Sequence, residues 1–154
     1  MKPVVVQTDI PRAAEDVFAV LDDVEQNPHW LQGMVSSRWT TDSPPRVGSR
    51  YEQLARFMGR EIRTSFEVTA RVPGRLVTIE SRAGSSFPLT VTREVVPTGP
   101  GRCRAVETVL SSPEGFYRIA TPLLRLMVRR NIARDYRRFR DMMQSGALPV
   151  SATA

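Results

Sequence analysis

The two residues in this chain best placed to do chemistry are Asn131 and Asp135, one helical turn apart in an otherwise apolar setting. Leu124, Val128, Ile132, Phe139, Met142 and Met143 project to a common side at about 100° per residue, and Asn131 and Asp135 fall in the middle of that side. An amide and a carboxyl on a greasy face can hydrogen-bond the polar end of a buried ligand or act as an acid/base pair. The structural alternative is that Asp135 pairs with Arg134 or Arg138 while Asn131 meets a strand carbonyl.

Other chemistry-bearing residues are scattered. His29 is the only imidazole, so neither a metal site nor a Ser-His-Asp array can be assembled around it by spacing. It stands beside Trp30 near a helix break, either at a cavity mouth or on the plain surface. Trp30 and Trp39 offer flat apolar walls to a ligand or anchors to a core. Tyr51, Tyr117 and Tyr136 carry hydroxyls suited to an enolisable ligand. Glu67, Glu80, Glu94 and Glu107 lie in strand-like stretches; one of them turned inward beside Arg82 or Arg93 would make the best acid/base pair, and an outward cross-strand ion pair is the alternative. No phosphate-cradling glycine loop, nucleophile elbow or metal-ligand spacing is present, so no catalytic residue is assigned and no cofactor or metal is called for.

The elements that must position these groups follow from periodicity. A chain of 154 residues suits one domain with one core, here residues 1–145, with 146–154 expected as a disordered tail. Val4 to Ile10 is β-rich. Ala14, Val17, Phe18 and Leu21 then mark an amphipathic helix ended by Asp22-Asp23, and Val24 to Met34 reads as a second short helix or turn with Trp30, Leu31 and Met34 as anchors. Between Val35 and Leu110 the period becomes two. Strands are expected at Val35 to Thr41, Tyr51 to Phe57, Ile62 to Val72, Leu76 to Arg82, Phe87 to Val96 and Arg102 to Leu110, separated by turns at Asp42-Ser43-Pro44-Pro45, Gly59, Pro73-Gly74 and Pro97 to Gly101. Polar and apolar residues occupy both alternations of the last two strands, so the pattern assigns neither of them an inward face. Ser111 or Ser112 then caps a long helix from about Gly115 to about Ser145. Helices segregated from a meandering antiparallel sheet make the chain α+β: seven curved strands around one long C-terminal helix, with two short helices after the first strand.

Composition narrows the function classes. No apolar run approaches the roughly 18 residues of a spanning helix, and the N-terminal run is too short for a signal peptide, which points to the cytoplasm. Cys103 is the only cysteine, which excludes an internal disulfide. The net charge of +6 is almost wholly arginine, Lys2 being the only lysine. Arg125, Arg129, Arg130, Arg134, Arg137, Arg138 and Arg140 crowd the long helix, mostly away from its apolar stripe, as a solvated basic face. Aromatic interleaving is confined to Tyr136 and Phe139, which argues against nucleic-acid stacking and leaves weak contact with an anionic membrane surface.

The segment Ile10-Pro11-Arg12-Ala13-Ala14-Glu15-Asp16-Val17-Phe18-Ala19-Val20-Leu21-Asp22-Asp23, the following Asn27-Pro28-His29-Trp30-Leu31, Gly48-Ser49-Arg50-Tyr51 and the helix Leu123 to Met143 resemble the START-like superfamily, the polyketide cyclase/dehydrase and lipid transport family. The resemblance covers roughly residues 3 to 145. It implies a helix-grip fold whose long helix turns its inner face to a cavity, and its members include lipid carriers, hormone receptors, aromatase/cyclases and ribosome-binding toxins. Fold alone selects none of these. The expectation is a small apolar or aromatic molecule, lipid- or polyketide-like, bound between sheet and C-terminal helix by Asn131, Asp135, Trp30, Trp39, Tyr51, Phe66, Leu124 and Val128, in a monomer or homodimer. Polyketide cyclase or dehydratase chemistry in the same cavity is one alternative, and macromolecular docking through the arginine face is another.

Overall fold

The computed structural model describes residues 3–42, 45–84, 88–111 and 121–148. β1 (Val4–Ile10) leads into α1 (Ala14–Asp22), a 3-10 turn (Val24–Gln26) and α2 (Asn27–Trp30). The chain then runs through β2 (Met34–Trp39), β3 (Arg50–Phe57), β4 (Arg60–Val72), β5 (Leu76–Ser81), β6 (Leu89–Gly99) and β7 (Arg102–Ser111) to α3 (Thr121–Ser145). The sheet has seven strands in the order β1-β7-β6-β5-β4-β3-β2, every neighbouring pair antiparallel. β1 and β2 are therefore its two edges, and the short helices carry the chain from one edge to the other. Register shifts at Met34/Ser36, Val68/Ala70 and Pro97/Gly99 bend the strands. The sheet curls around α3 as a helix-grip fold.

α1 forms because Val17, Phe18, Val20 and Leu21 place one continuous stripe against the sheet, all of them buried. Glu15 and Asp16 sit in its first turn, where the helix dipole favours acids. Arg71 of β4 holds Asp22 at the other end through a fork, with Nη2 2.7 Å from Oδ2 and Nε 3.1 Å from Oδ1. Arg12 ties the start of α1 to the end of α3, donating to the Met143 carbonyl at 2.7 Å and to Asp16 at 3.1 Å.

Several boundaries differ from the periodic reading. The second helical segment splits at Asn27, and Met34 opens β2 instead of closing a helix. β6 continues through Pro97 to Gly99, because only Pro100 and Gly101 are needed for the turn and Gly101 takes φ 66°. The expected start of the long helix near Gly115, its Ser112 cap, Tyr117 and Phe87 lie outside the described residues. At the other end, α3 stops at Gly146 (φ 77°), with Gly146 N–H donating to Met143 O and Ala147 N–H to Met142 O, a Schellman ending. That reversal returns Leu148 to the core, where it is buried, although the pattern reads the tail as starting at residue 146.

Candidate functional site

A cavity of about 240 Å³ lies between the sheet and α3 and opens to solvent on one side. The loop from α2 to β2 supplies Leu31, Gln32, Gly33 and Met34. β3 and β4 supply Gln53, Ala55, Arg56, Phe57, Ile62 and Thr64; β6 and β7 supply Leu89, Val91, Glu107 and Val109; α3 supplies Val128, Asn131, Ile132 and Asp135. Gly33 lets the loop close against β3: at φ 87° its carbonyl accepts from the Arg56 N–H at 2.6 Å, and a Cβ there would stand 2.8 Å from the Arg56 carbonyl oxygen.

Alternation decides which side chains reach the interior. Val91, Arg93 and Val95 of β6, and Cys103, Ala105, Glu107, Val109 and Ser111 of β7, are all buried. The odd-numbered residues of both strands therefore face inward, which settles the facing that the sequence pattern leaves open. Arg93 and Glu107 are direct partners across the two strands. Both are only 5% exposed, with Nε 3.9 Å from Oε2 and neither atom hydrogen-bonded. Arg93 is held from the other side, its Nη1 donating to the Leu21 carbonyl at 3.1 Å and to Asn27 Oδ1 at 3.0 Å, with its guanidinium 5.2 Å from the Trp30 ring centre. Burial works against the Arg93 charge, and Glu107, Tyr136 and Tyr51 more than compensate, so it remains a cation. The Tyr51 and Tyr136 hydroxyls are buried, and that of Tyr136 is directed at the Glu107 carboxyl. Burial raises both phenols, and Glu107 raises them further against the opposing effect of Arg93. An inward glutamate beside Arg93 is thus present, and it is Glu107. Glu67 is half-buried and pairs with Arg50 at 2.9 Å, whereas Glu80 is exposed.

Asp135 accepts the Gln32 N–H at 3.4 Å and lies 3.5 Å from Arg134, the local pairing weighed above. Burial raises its carboxyl above the ordinary value, Gln32 and Arg134 pull the other way, and Glu107 adds to the rise.

The expected ligand contacts fall into separate groups. Asn131, Asp135 and Val128 line the cavity together. Leu124 and Val128 border an adjoining void of about 20 Å³. Tyr51 stacks on Phe66 at 5.2 Å and meets the edge of Trp39 at 5.6 Å, while Trp30 packs on Tyr136 at 5.1 Å and on Phe139 at 4.8 Å. None of these six aromatics lines the cavity among its described residues. His29 is exposed, and Cys103 is buried in β7 with its thiol pushed up to about 11 by burial and then by Asp9. Among the described residues no group of three His, Cys, Asp or Glu could hold a metal, and no helix is long and apolar enough to cross a membrane.

Sequence reading missed the number of polar groups around the cavity: Gln32, Gln53 and Thr64 in its wall, besides Glu107. The available signal was the register. A plain hairpin set by Gly99 opposite Arg102 would put Arg93 against Thr108, and the bulge at Pro97/Gly99 shifts it onto Glu107.

A curved antiparallel sheet gripping one helix over a partly polar cavity defines a helix-grip protein of the START-like class. The family model for polyketide cyclase/dehydrase and lipid transport matches residues 1–144, and the chain belongs to that family. Solved structures agree on the fold. A Thermus thermophilus protein is similar at TM-score 0.80 and 18% identity, covering 96% of this chain and 100% of its own. A Streptomyces aromatase/cyclase is similar at TM-score 0.77 and 12% identity, covering 99% of each chain. A START superfamily protein from Mycobacterium smegmatis is similar at TM-score 0.66 and 14% identity, covering 87% of this chain and 97% of its own. Among curated proteins, none matches the sequence.

Proposed function

We propose that this protein binds a small apolar or aromatic molecule, lipid- or polyketide-like, in the cavity between the sheet and α3. The observation that carries the reading is the cavity itself: about 240 Å³ with a mainly apolar wall, in which Asn131 and Asp135 are two of seven polar or charged lining residues. Affinity comes from apolar burial, worth about 25 cal/mol per Å² before the cost of association, and the polar groups set orientation. Such an occupant suits a cytoplasmic carrier.

A second reading, cyclase or dehydratase chemistry, is supported by Glu107 beside Arg93 with two tyrosine hydroxyls nearby, since an enolising carbonyl needs a base and a group to stabilise developing charge. Docking through the arginine face has less support, because a docking module has no need of an internal cavity.

The test is titration with the fluorophore phenylnaphthylamine. Wild type should bind it saturably, and Val128→Trp, which fills the space, should bind about tenfold or more weakly while keeping a cooperative melt. Equal binding by the folded variant would overturn the reading.

A further inference from the structure

We infer that the molecule held in this cavity carries a hydrogen-bond-donating head, a hydroxyl or a protonated amine, and that carboxylates such as fatty acids are selected against. This rests on the binding reading above and adds the chemistry of the ligand's polar end.

Glu107 lines the cavity with its side chain 7% exposed, and its charge is met only by Arg93, with Oε2 3.9 Å from Nε and beyond hydrogen-bond distance, and by the neighbouring Tyr136 hydroxyl. Buried acceptors are normally paired, and one left short of partners is costly until a donor arrives. A donating head brought against the cavity side of Glu107 adds a hydrogen bond that Arg93, at 3.9 Å, does not make. Asp135 lines the same cavity, so the wall presents two carboxyl groups, which when ionised accept hydrogen bonds and cannot donate them.

The cations are placed so that they cannot serve an anionic ligand. Arg93 balances Glu107 from outside the lining, with Nη1 committed to Leu21 and Asn27. Arg56 is the one cation among the described lining residues, and its head turns to Glu61 at 3.3 Å with the side chain 67% exposed. A carboxylate entering the cavity would meet two carboxyls in the wall, while the inward Arg93 stands behind Glu107 outside the lining and Arg56 turns to Glu61. Such juxtaposition of like charges out of water is the repulsive element from which specificity is built. The amide groups of Asn131, Gln32 and Gln53 accept or donate as needed and do not reverse this preference.

The experiment uses ligands sharing one ring system, naphthylmethanol, naphthylmethylamine and naphthoate, competing with phenylnaphthylamine on the wild-type protein. The alcohol and the amine should displace the probe at concentrations about tenfold or more below that of naphthoate. Naphthoate competing equally or better would overturn the inference and leave the binding reading standing. Failure of the probe and all three ligands to bind would bring down both. In Glu107→Gln the alcohol-to-naphthoate preference should shrink by about fivefold or more, and an unchanged preference would remove Glu107 from its assigned role. Because that substitution strips Arg93 of its counter-charge, Asp135→Asn serves as the second variant. It should also narrow the preference, and no narrowing in either folded variant would overturn the inference.

Discussion

Asp135 shows how a single side chain can set stability against the binding role proposed for it. Burial raises its carboxyl above the ordinary 3.8, while the contacts from Gln32 and Arg134 offset only part of that penalty. A carboxyl raised in the folded state holds its proton more readily there than in the unfolded chain. Its contribution therefore favours folding at low pH and declines as pH rises through the raised value. At neutral pH the wild type bears the cost of a buried charge that an amide of the same shape avoids. Asp135→Asn should accordingly raise the melting temperature at pH 7 by roughly 2–4 °C, the shift that about 1 kcal/mol produces in a domain of this size. The gain should fade as the pH falls through the raised value and then below 3.8, the ordinary value, where both states become protonated. Melts of the two proteins across that range decide the matter, and a variant less stable at neutral pH would make the Asp135 contacts structural. The residue itself was legible, since a carboxyl in an apolar stripe is a local pattern. The Arg93–Glu107 pair was legible only as one of several glutamate–arginine combinations, because which of them meet depends on how distant residues are brought into register.

At the scale of elements, the β4 pattern shows what sequence resolves well. Thr64, Phe66 and Val68 are buried while Arg63, Ser65 and Thr69 are exposed, so period two is visible without any knowledge of the fold. β7 shows the opposite. Its inner face carries Glu107 between Ala105 and Val109, and its outer face carries Leu110, which is 44% exposed, so hydrophobicity no longer marks the buried side. A strand lining a cavity breaks the rule that reveals strands, and the most informative residues hide where the pattern fails. Turn chemistry carries a similar conflict. The β3–β4 hairpin turns through Met58 at φ 52° and Gly59 at φ 74°. Paired positive φ values suit the tight hairpin turns that favour Asn-Gly, and methionine is strained at the first of them. Met58 is 47% exposed, so little packing is lost on replacing it. Met58→Asn should stabilise the protein by about 0.5–1 kcal/mol in urea melts, with the cavity-forming strands unchanged. A loss of stability would show that the Met58 side chain packs against the cavity rim more strongly than its exposure suggests.

For the whole molecule, the question is what the excess positive charge does. The outer side of α3 exposes Arg129, Arg130, Arg134, Arg137 and Arg138, and of these only Arg134 has a salt bridge among the described residues. Leu123 and Leu126, 66% and 45% exposed, lie on the same helix near its start. The two aromatics available for stacking on nucleic-acid bases, Tyr136 and Phe139, are buried at 1% and 0% exposure, so any contact with RNA would rest on phosphate charge alone. Such contact is governed by counterion release. If all five arginines touched phosphates, single-stranded affinity would fall about fiftyfold between 50 and 150 mM salt. Attraction to anionic vesicles weakens over the same range as the screening length contracts to about 8 Å. Association with anionic vesicles or single-stranded RNA should therefore be measurable at low salt and vanish near physiological ionic strength, in flotation and filter-binding assays respectively. Vesicle binding that survives salt but disappears in Leu123→Ser/Leu126→Ser would mean that the helix inserts those leucines into lipid. RNA binding that survives salt would require contacts beyond phosphate charge, and it would move the basic face from a solvated surface to a docking site ranking above the cavity.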